Sequence, residues 1–341
     1  MTIDIFESRL LESWPFAARR ETRCVLAVSG GTDSSAMLCA FARLGKRENL
    51  RVLHVNHQLR GEESEEDARF TARLAEKYEV SFREERIDPE ELRLAALREG
   101  SVESGARTIR YRLLLKYAEG FGARYILTAH HADDQVETIL YRLFRGSGID
   151  GLVGMSPFRP LNDAVVLARP FLSFSRADLT DYLTRLGESW RVDSSNRSAE
   201  FLRNRIRHEL IPLLNDLFPG RVDSSIRKFA SHAADLKEFL DAQLDAALAA
   251  GGGGEVLVRS DGSVVCSVEH LAKLPPILLS IWFRRLWRDR RWPMRGMDAS
   301  RWSALAQMVS DGVSVRRELP GGLSAELYEG EMRLSPVFNR K

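Results

Sequence analysis

The sequence predicts an α/β protein: a parallel-sheet N-terminal domain followed by a mostly helical α+β C-terminal domain. Three observations carry this reading. Short apolar runs alternate with helix-length amphipathic segments through the first half, the pattern of βαβ units. The chain has 341 residues, which at roughly 150 residues per domain favours two domains. Pro219–Gly220 then interrupt a helical stretch. The predicted domains are 1–218 and 219–341.

Each element follows from its residues. "CVLAVS" (24–29) is a short apolar strand, after which Met37, Phe41 and Leu44 keep helical spacing up to Gly45. "RVLHVNH" (51–57) is a second strand, followed by the acidic helix "GEESEEDARFTARLAEKY". "VSFREERI" is a third strand and 102–119 a third helix; "RYILTAH" is a fourth strand and 132–145 a fourth helix ending at Gly146. "VVLARPF" (165–171) is a candidate fifth strand. The helix after it has Ser175 as N-cap and Gly187 as C-cap, and another lies near 199–217. Beyond the break, 223–249 is helical, "GGGG" (251–254) a turn and "EVLVRSDGSVVCSV" a hairpin. A basic, tryptophan-bearing helix near 276–291 precedes short strands around a Pro-Gly-Gly turn.

Composition narrows the function classes. Hydrophobic residues make up 44% and charged residues 29%, ordinary for a globular protein with a sizeable core. No apolar run approaches the roughly 18 residues that span a bilayer. The N-terminus lacks the basic-then-apolar order of a secretory signal, so a cytoplasmic protein without membrane contact is expected. Cys24, Cys39 and Cys266 are scattered and form neither a disulfide framework nor a metal-ligand pattern. The net charge is only +2, but "RRLWRDRRWPMR" (284–295) holds six arginines against one acid, and "RNRIRH" (203–208) is a second basic cluster. Such local charge suits phosphate backbones.

The turn "SGGTDS" (29–34) closes a strand and opens a helix. Backbone N–H groups there are free, and the helix end carries about half a positive charge. Gly30 and Gly31 remove the Cβ atoms that would keep a ligand away; Ser29, Thr32 and Ser34 add hydroxyls. This is a phosphate cradle, although neither GxxxxGK[ST] nor GxGxxG is present. A carboxylate beside phosphates is repulsive unless it holds Mg²⁺, which makes Asp33 the candidate metal ligand. The alternative is that Asp33 or Ser34 merely caps the helix.

"AHHADDQVETILYRLFRGSG" (129–148) begins at the end of the fourth strand. Asp134, Glu137 and Tyr141 are three and four residues apart and share a helical face; His130 precedes them. If strands one to three wind outward, strand four returns beside strand one. The crevice between them is then the switch point where α/β sheets bind ligands. Both polar clusters sit there.

"SGGTDS" resembles the SGGxDS loop of the N-type ATP pyrophosphatases, the Rossmann-like PP-loop ATPases. "HHADDQVET…RGSG" resembles the HHxxDQxET…RGSG element of the tRNA(Ile)-lysidine synthetases. "LHVNHQLR", "ARTIRYRLL", "WRVDSSN" and "RNRIRHELIPLL" are similar to further segments of that family, so the resemblance covers 23–215. It implies ATP and Mg²⁺, with L-lysine joined to the wobble cytidine of tRNA(Ile) bearing a CAU anticodon. It assigns Ser29, Gly30, Gly31, Thr32, Asp33 and Ser34 to ATP, and places Asn56 and His57 near the adenosine, with simple loop hydrogen bonding as the alternative for those two. Asp33, His130, Asp134, Glu137 and Arg205 are the expected catalytic residues, with Asp134 and Glu137 holding lysine and a tRNA-phosphate contact as the alternative for Arg205.

Arg107, Arg110, Arg203, Arg207, Arg284, Arg288 and Arg291 are the expected tRNA contacts, with an active-site or packing role left open for Arg107, Arg110 and the neighbouring Tyr111, while Trp282, Phe283 and Leu286 are expected to pack a helical core. The chain resembles the shorter members of the family, which end after this second domain, and a homodimer is compatible with the resemblance. Two alternatives stay open: a tRNA thiolase of the same superfamily, disfavoured by the absence of CxxC, and a catalytically silent binding module.

Overall fold

The computed structural model describes residues 3–14, 21–191, 202–251, 256–312 and 314–336. It divides into two compact units, 1–138 with 155–223, and 139–154 with 224–341. Residues 139–154, inside the stretch predicted as the first domain, thus group with the second unit. Residues 192–196 of "WRVDSSN" and 252–254 of the glycine turn lie outside the described residues.

In chain order the first unit contains α1 (Ile5–Ser13), β1 (Cys24–Ala27), α2 (Thr32–Leu44), β2 (Leu50–Asn56), α3 (Glu62–Lys77), β3 (Ser81–Arg86), α4 (Pro89–Glu99), α5 (Val102–Phe121) and β4 (Tyr125–Leu127). α6 (Ala132–Phe144) crosses into the second unit, which also takes α7 (Ile149–Leu152). The first unit resumes with β5 (Phe158–Pro160), β6 (Val166–Ala168), α8 (Arg176–Leu186), α9 (Leu202–Arg205), a π-helical turn (Ile206–Leu210) and α10 (Ile211–Leu217).

The sheet order is β3-β2-β1-β4-β6-β5. All neighbours are parallel except β5, which runs antiparallel to β6. β4 returns beside β1, as the reading of the first four strands requires. β1 is buried on both faces: Cys24 and Leu26 join the core with Met37, Phe41 and Tyr182, while Val25 joins Leu53, Leu114, Ile126 and Leu167. A doubly covered strand reads as a continuous apolar run, which is what "CVLAV" is. α8 begins with a Ser175–Asp178 capping box and ends at Gly187 in the left-handed region. α1, α4 and β5 were not predicted; β5 has three residues including Pro160, too little for a strand signal.

The second unit continues with α11 (Val222–Gly251), β7 (Leu257–Val258), β8 (Val264–Ser267), α12 (Val268–Leu271), α13 (Pro276–Asp289), α14 (Ala299–Asp311), β9 (Val315–Leu319), β10 (Leu323–Tyr328) and β11 (Glu331–Pro336). Its strands form an antiparallel sheet, β7-β8-β11-β10-β9. Trp282, Phe283 and Leu286 are buried in its core beside Trp287 and Trp302, so the aromatic residues of α13 pack as expected. Among the described residues no helix is long and apolar enough to cross a membrane.

Candidate active site

The loop between β1 and α2 is built for close approach. Gly31 is the N-cap of α2, and no side chain caps the helix, so neither Asp33 nor Ser34 uses up its free N–H groups. Ser34 instead shapes the loop: its Oγ accepts from Ser29 N at 3.1 Å and donates to Gly31 O at 3.2 Å. Gly30 has φ +92°, and a Cβ there would meet Thr71 Oγ1 at 3.1 Å and Asp67 O at 3.4 Å. Only glycine satisfies both demands. Arg191 fastens the loop from outside, donating its N–H to Gly30 O at 3.0 Å and its guanidinium to Asp67 and Glu66.

β4 delivers two adjacent histidines into opposite electrostatic surroundings. His131 Nε2 lies 3.5 Å from both Asp33 Oδ2 and Asp134 Oδ2, and its Nδ1 lies 3.0 Å from Asp133 Oδ2. Burial opposes its charge, but Asp133, Asp33 and Asp134 outweigh burial and raise its pKa to about 10. His130 meets Thr128 Oγ1 at 2.9 Å. Burial, reinforced by the positive charges of Arg169, Arg110, Arg107 and Arg203, lowers it well below the ordinary histidine value. One imidazole is therefore cationic near neutrality and the other neutral. His131 ties the β1 loop to the acidic start of α6, and sequence reasoning missed it although the doubled histidine was its signal.

Asp134 and Glu137 are buried, at 9% and 1% exposure. Both carry guanidinium partners: Arg203 Nε donates to Glu137 Oε2 at 3.1 Å and Arg207 Nη2 to Asp134 Oδ1 at 3.1 Å, while Arg207 Nε reaches Glu137 Oε1. Arg203 and Arg207, expected at tRNA, thus sit on the carboxylates. Arg205, the expected catalytic arginine, does not: it is exposed and pairs with Glu209 at 2.9 Å. Positions 203 and 207 share a helical face, whereas 205 points elsewhere.

Other predicted residues also find different surroundings. Asn56 is 1% exposed, donates to Glu84 Oε1 at 3.0 Å and to Glu65 Oε1 at 3.3 Å, and accepts from Gln58 N. It organises the loop after β2. His57 Nδ1 is buried without a partner, and burial with the Arg110 charge lowers its pKa to about 4. Arg107 and Arg110 face Tyr111 together with Arg159. In the second unit, Arg284 folds inward onto Asp150 at 2.7 Å instead of facing outward, because α7 brings a carboxylate to it. Arg288 and Arg291 are exposed. Cys39 and Cys266 are buried with thiols pushed up to about 12, and burial raises Cys24 likewise.

Mg²⁺ fits this loop. Asp33 Oδ1 is buried and has no hydrogen-bond partner. Among the described residues no cluster of three protein ligands forms. Mg²⁺ bound to nucleotide phosphates takes one or two carboxylates and leaves the rest of its shell to phosphate and water.

The histidines set a stability profile. His57 has a depressed folded-state pKa, so its contribution is complete above its unfolded value of about 6.5 and is lost as pH falls toward 4. That loss is on the order of 2 kcal/mol at pH 5. His131 is raised, so its contribution is complete below about 6.5 and is lost as pH rises toward 10. The ligand-free protein should therefore melt highest near pH 6.5. A melting temperature climbing steadily from pH 5 to pH 9 contradicts these environments.

A phosphate-cradling loop at the switch point of a doubly covered parallel sheet defines a nucleotide-binding α/β protein. A model of the PP-loop domain family matches residues 5–214. The tRNA(Ile)-lysidine synthase of Geobacter sulfurreducens is 40% identical over 269 residues, 78% of this chain and 54% of that protein. That of Bacteroides thetaiotaomicron is 37% identical over 67% of this chain and 51% of that protein. That of Solibacter usitatus is 31% identical over 94% of this chain and 68% of that protein. The chain belongs to the PP-loop family, in the branch of the tRNA(Ile)-lysidine synthases. It spans about half the length of the first two of these relatives.

Proposed function

We propose that the chain joins L-lysine to C2 of the wobble cytidine of tRNA(Ile) with a CAU anticodon, consuming ATP and releasing AMP and pyrophosphate. The observation that carries this reading is the meeting of two clusters at one switch point. His131 stands 3.5 Å from Asp33 of the phosphate loop and 3.5 Å from Asp134 of the carboxylate pair. A nucleotide held by the first cluster is thereby next to a cation held by the second. The family supports ATP as the nucleotide.

The chemistry accounts for both clusters. The C2 oxygen of cytosine is a poor leaving group, so it first attacks the α-phosphorus of ATP. The new O–P bond forms as the bond to the β-phosphate oxygen breaks, releasing pyrophosphate. The lysine ε-amine then attacks C2, and AMP departs with the former carbonyl oxygen. The N–H groups from Gly30 to Ser34 are the ones to hold the phosphates, and Asp33 is the residue to hold Mg²⁺, which when bound would supply charge neutralisation on the phosphate oxygens. Neutral His130 is suited to accept a hydrogen bond or a proton.

An ε-ammonium has a pKa of about 10.4 and must lose a proton before attack. Asp134 and Glu137 are the carboxylates to hold it and take that proton. Arg203 and Arg207 now satisfy those carboxylates, so lysine binding exchanges one cation for another on the same oxygens. In the second unit Arg288 and Arg291 are available to tRNA phosphates, and contacts of that kind position RNA without reading its sequence. The reaction belongs in the cytoplasm, where charged tRNA is used.

The test is incubation of the full chain with ATP, Mg²⁺, labelled lysine and a CAU-anticodon tRNA(Ile) transcript. Label entering the RNA, with pyrophosphate released only when RNA is present, is the expected result. Pyrophosphate without lysine incorporation overturns the lysine assignment.

A further inference from the structure

Four arginines of the first unit converge on Tyr111. The guanidinium carbons of Arg107, Arg110 and Arg159 lie 5.1, 5.4 and 5.0 Å from its ring centroid, and Arg107 Nη2 donates to the phenol oxygen at 3.3 Å. Arg169, just beyond β6, is 5% exposed and donates through Nη1 to Ser156 O at 2.6 Å. Its charge and that of Arg159 also act on Tyr111. Burial alone would raise the phenol, but the four arginines together hold it below its ordinary value.

What distinguishes this cluster is the missing counter-charge. Arg191 meets Asp67 and Glu66, and Arg203 and Arg207 meet Asp134 and Glu137. Among the described residues no carboxylate pairs with Arg107, Arg110, Arg159 or Arg169. The Nε groups of Arg110 and Arg169 are buried with no acceptor at all. Burying guanidinium without a partner is costly, and burial accordingly lowers the pKa of both. The arrangement is graded: Arg107 and Arg159 are exposed, Arg110 and Tyr111 half-buried, Arg169 buried.

We propose that Arg107, Arg159, Arg110 and Arg169 form an anion cage, from mouth to floor, that takes backbone phosphate of the RNA substrate. This rests on the reading of the chain as a tRNA-modifying enzyme. Guanidinium forks match phosphate oxygens two at a time. A run of four unpaired cations from surface to interior suits a polyanionic chain that enters from solvent better than the single carboxylate of an amino acid. ATP phosphates have their own cradle after β1. β4 lies between β1 and β6, so at strand spacings of about 4.8 Å the strand bearing Arg169 is roughly 10 Å from the strand bearing that cradle. The cage opens at the carboxyl end of the same sheet, where a seated phosphate would fix the nucleotide beside it relative to His130.

The test measures tRNA(Ile) binding by the full chain across a KCl series for wild type and for the double variant Arg107→Gln/Arg159→Gln. Each lost phosphate contact lowers the slope of log K against log salt by about 0.7 for single-stranded RNA. The double variant should lose about 1 to 1.5 from that slope and bind at least about tenfold more weakly near 0.1 M salt. ATP affinity and lysine KM should stay within about twofold of wild type. Arg159→Gln alone, on the exposed edge strand, gives half the slope change and serves if the double variant melts early.

An unchanged slope overturns the cage, as does a selective loss of ATP affinity or a selective rise in lysine KM. Wild type failing to bind tRNA would sink the functional reading itself, a result separable from unchanged variant binding.

Discussion

In a single turnover with enzyme in excess over tRNA, Glu137→Gln should lower lysine incorporation into the RNA by about 10²- to 10³-fold while leaving RNA-dependent pyrophosphate release within a few-fold of wild type. Removing a general base typically costs 10²–10⁴ in rate. Glu137 is 1% exposed and its two oxygens face Arg203 and Arg207, so its charge is held in a low-dielectric site where a cation is strongly favoured. The amide keeps the shape but neither holds an ammonium as tightly nor takes its proton. Adenylation of the base does not use Glu137 in this account, so pyrophosphate release is spared. Separate quantification of pyrophosphate and of labelled lysine in the RNA checks the split. Equal loss of both would mean that Glu137 holds the fold of the site or the RNA rather than lysine.

The second large effect is expected at Asp33. Asp33→Asn should reduce RNA-dependent pyrophosphate release by about 10³-fold or more, since a metal ion contributes several kcal/mol of charge stabilisation to phosphoryl chemistry. Asp33 Oδ1 is buried and accepts no hydrogen bond, with Arg176 Nε 3.9 Å away, so the amide disrupts no existing hydrogen bond at that atom and the fold should survive. Calorimetry gives the readout independent of activity: wild type should bind ATP much more tightly with Mg²⁺ than with EDTA, and Asp33→Asn should show little difference between the two. A variant that keeps the Mg²⁺ effect would show that another group holds the ion.

The parts of this molecule that were legible in the sequence are those encoded locally. A buried central strand and its glycine turn are contiguous in "CVLAVSGG", and Asp134 and Glu137 sit one helical turn apart. With strands one to three winding outward, strand four had to return beside β1, which brings both to one crevice. The pairing of Arg203 and Arg207 with the carboxylates was not legible because three arginines in "RNRIR" look equivalent until helical phase separates 203 and 207 from 205. The surroundings of Asn56 were not legible because its partners, Glu65 and Glu84, come from two other elements.

Only half of the proposed cage was legible, Arg107 and Arg110, for a related reason. Arg107 and Arg110 lie on α5, while Arg159 and Arg169 are brought to them by the antiparallel β5–β6 pair, which no periodicity announces. α14 did carry helical spacing, with Trp302, Leu305, Ala306 and Val309 buried, so its omission was a missed signal rather than an absent one.

The central claim is that this site activates a tRNA base with AMP before lysine attacks it. The most direct measurement is a reaction with ATP labelled at the α-phosphate and CAU-anticodon tRNA(Ile), with lysine withheld. The account predicts that label enters the RNA at the wobble cytidine, and that adding lysine releases it as AMP while lysine takes its place. Label that never enters the RNA, or that passes to lysine when no RNA is present, would contradict it.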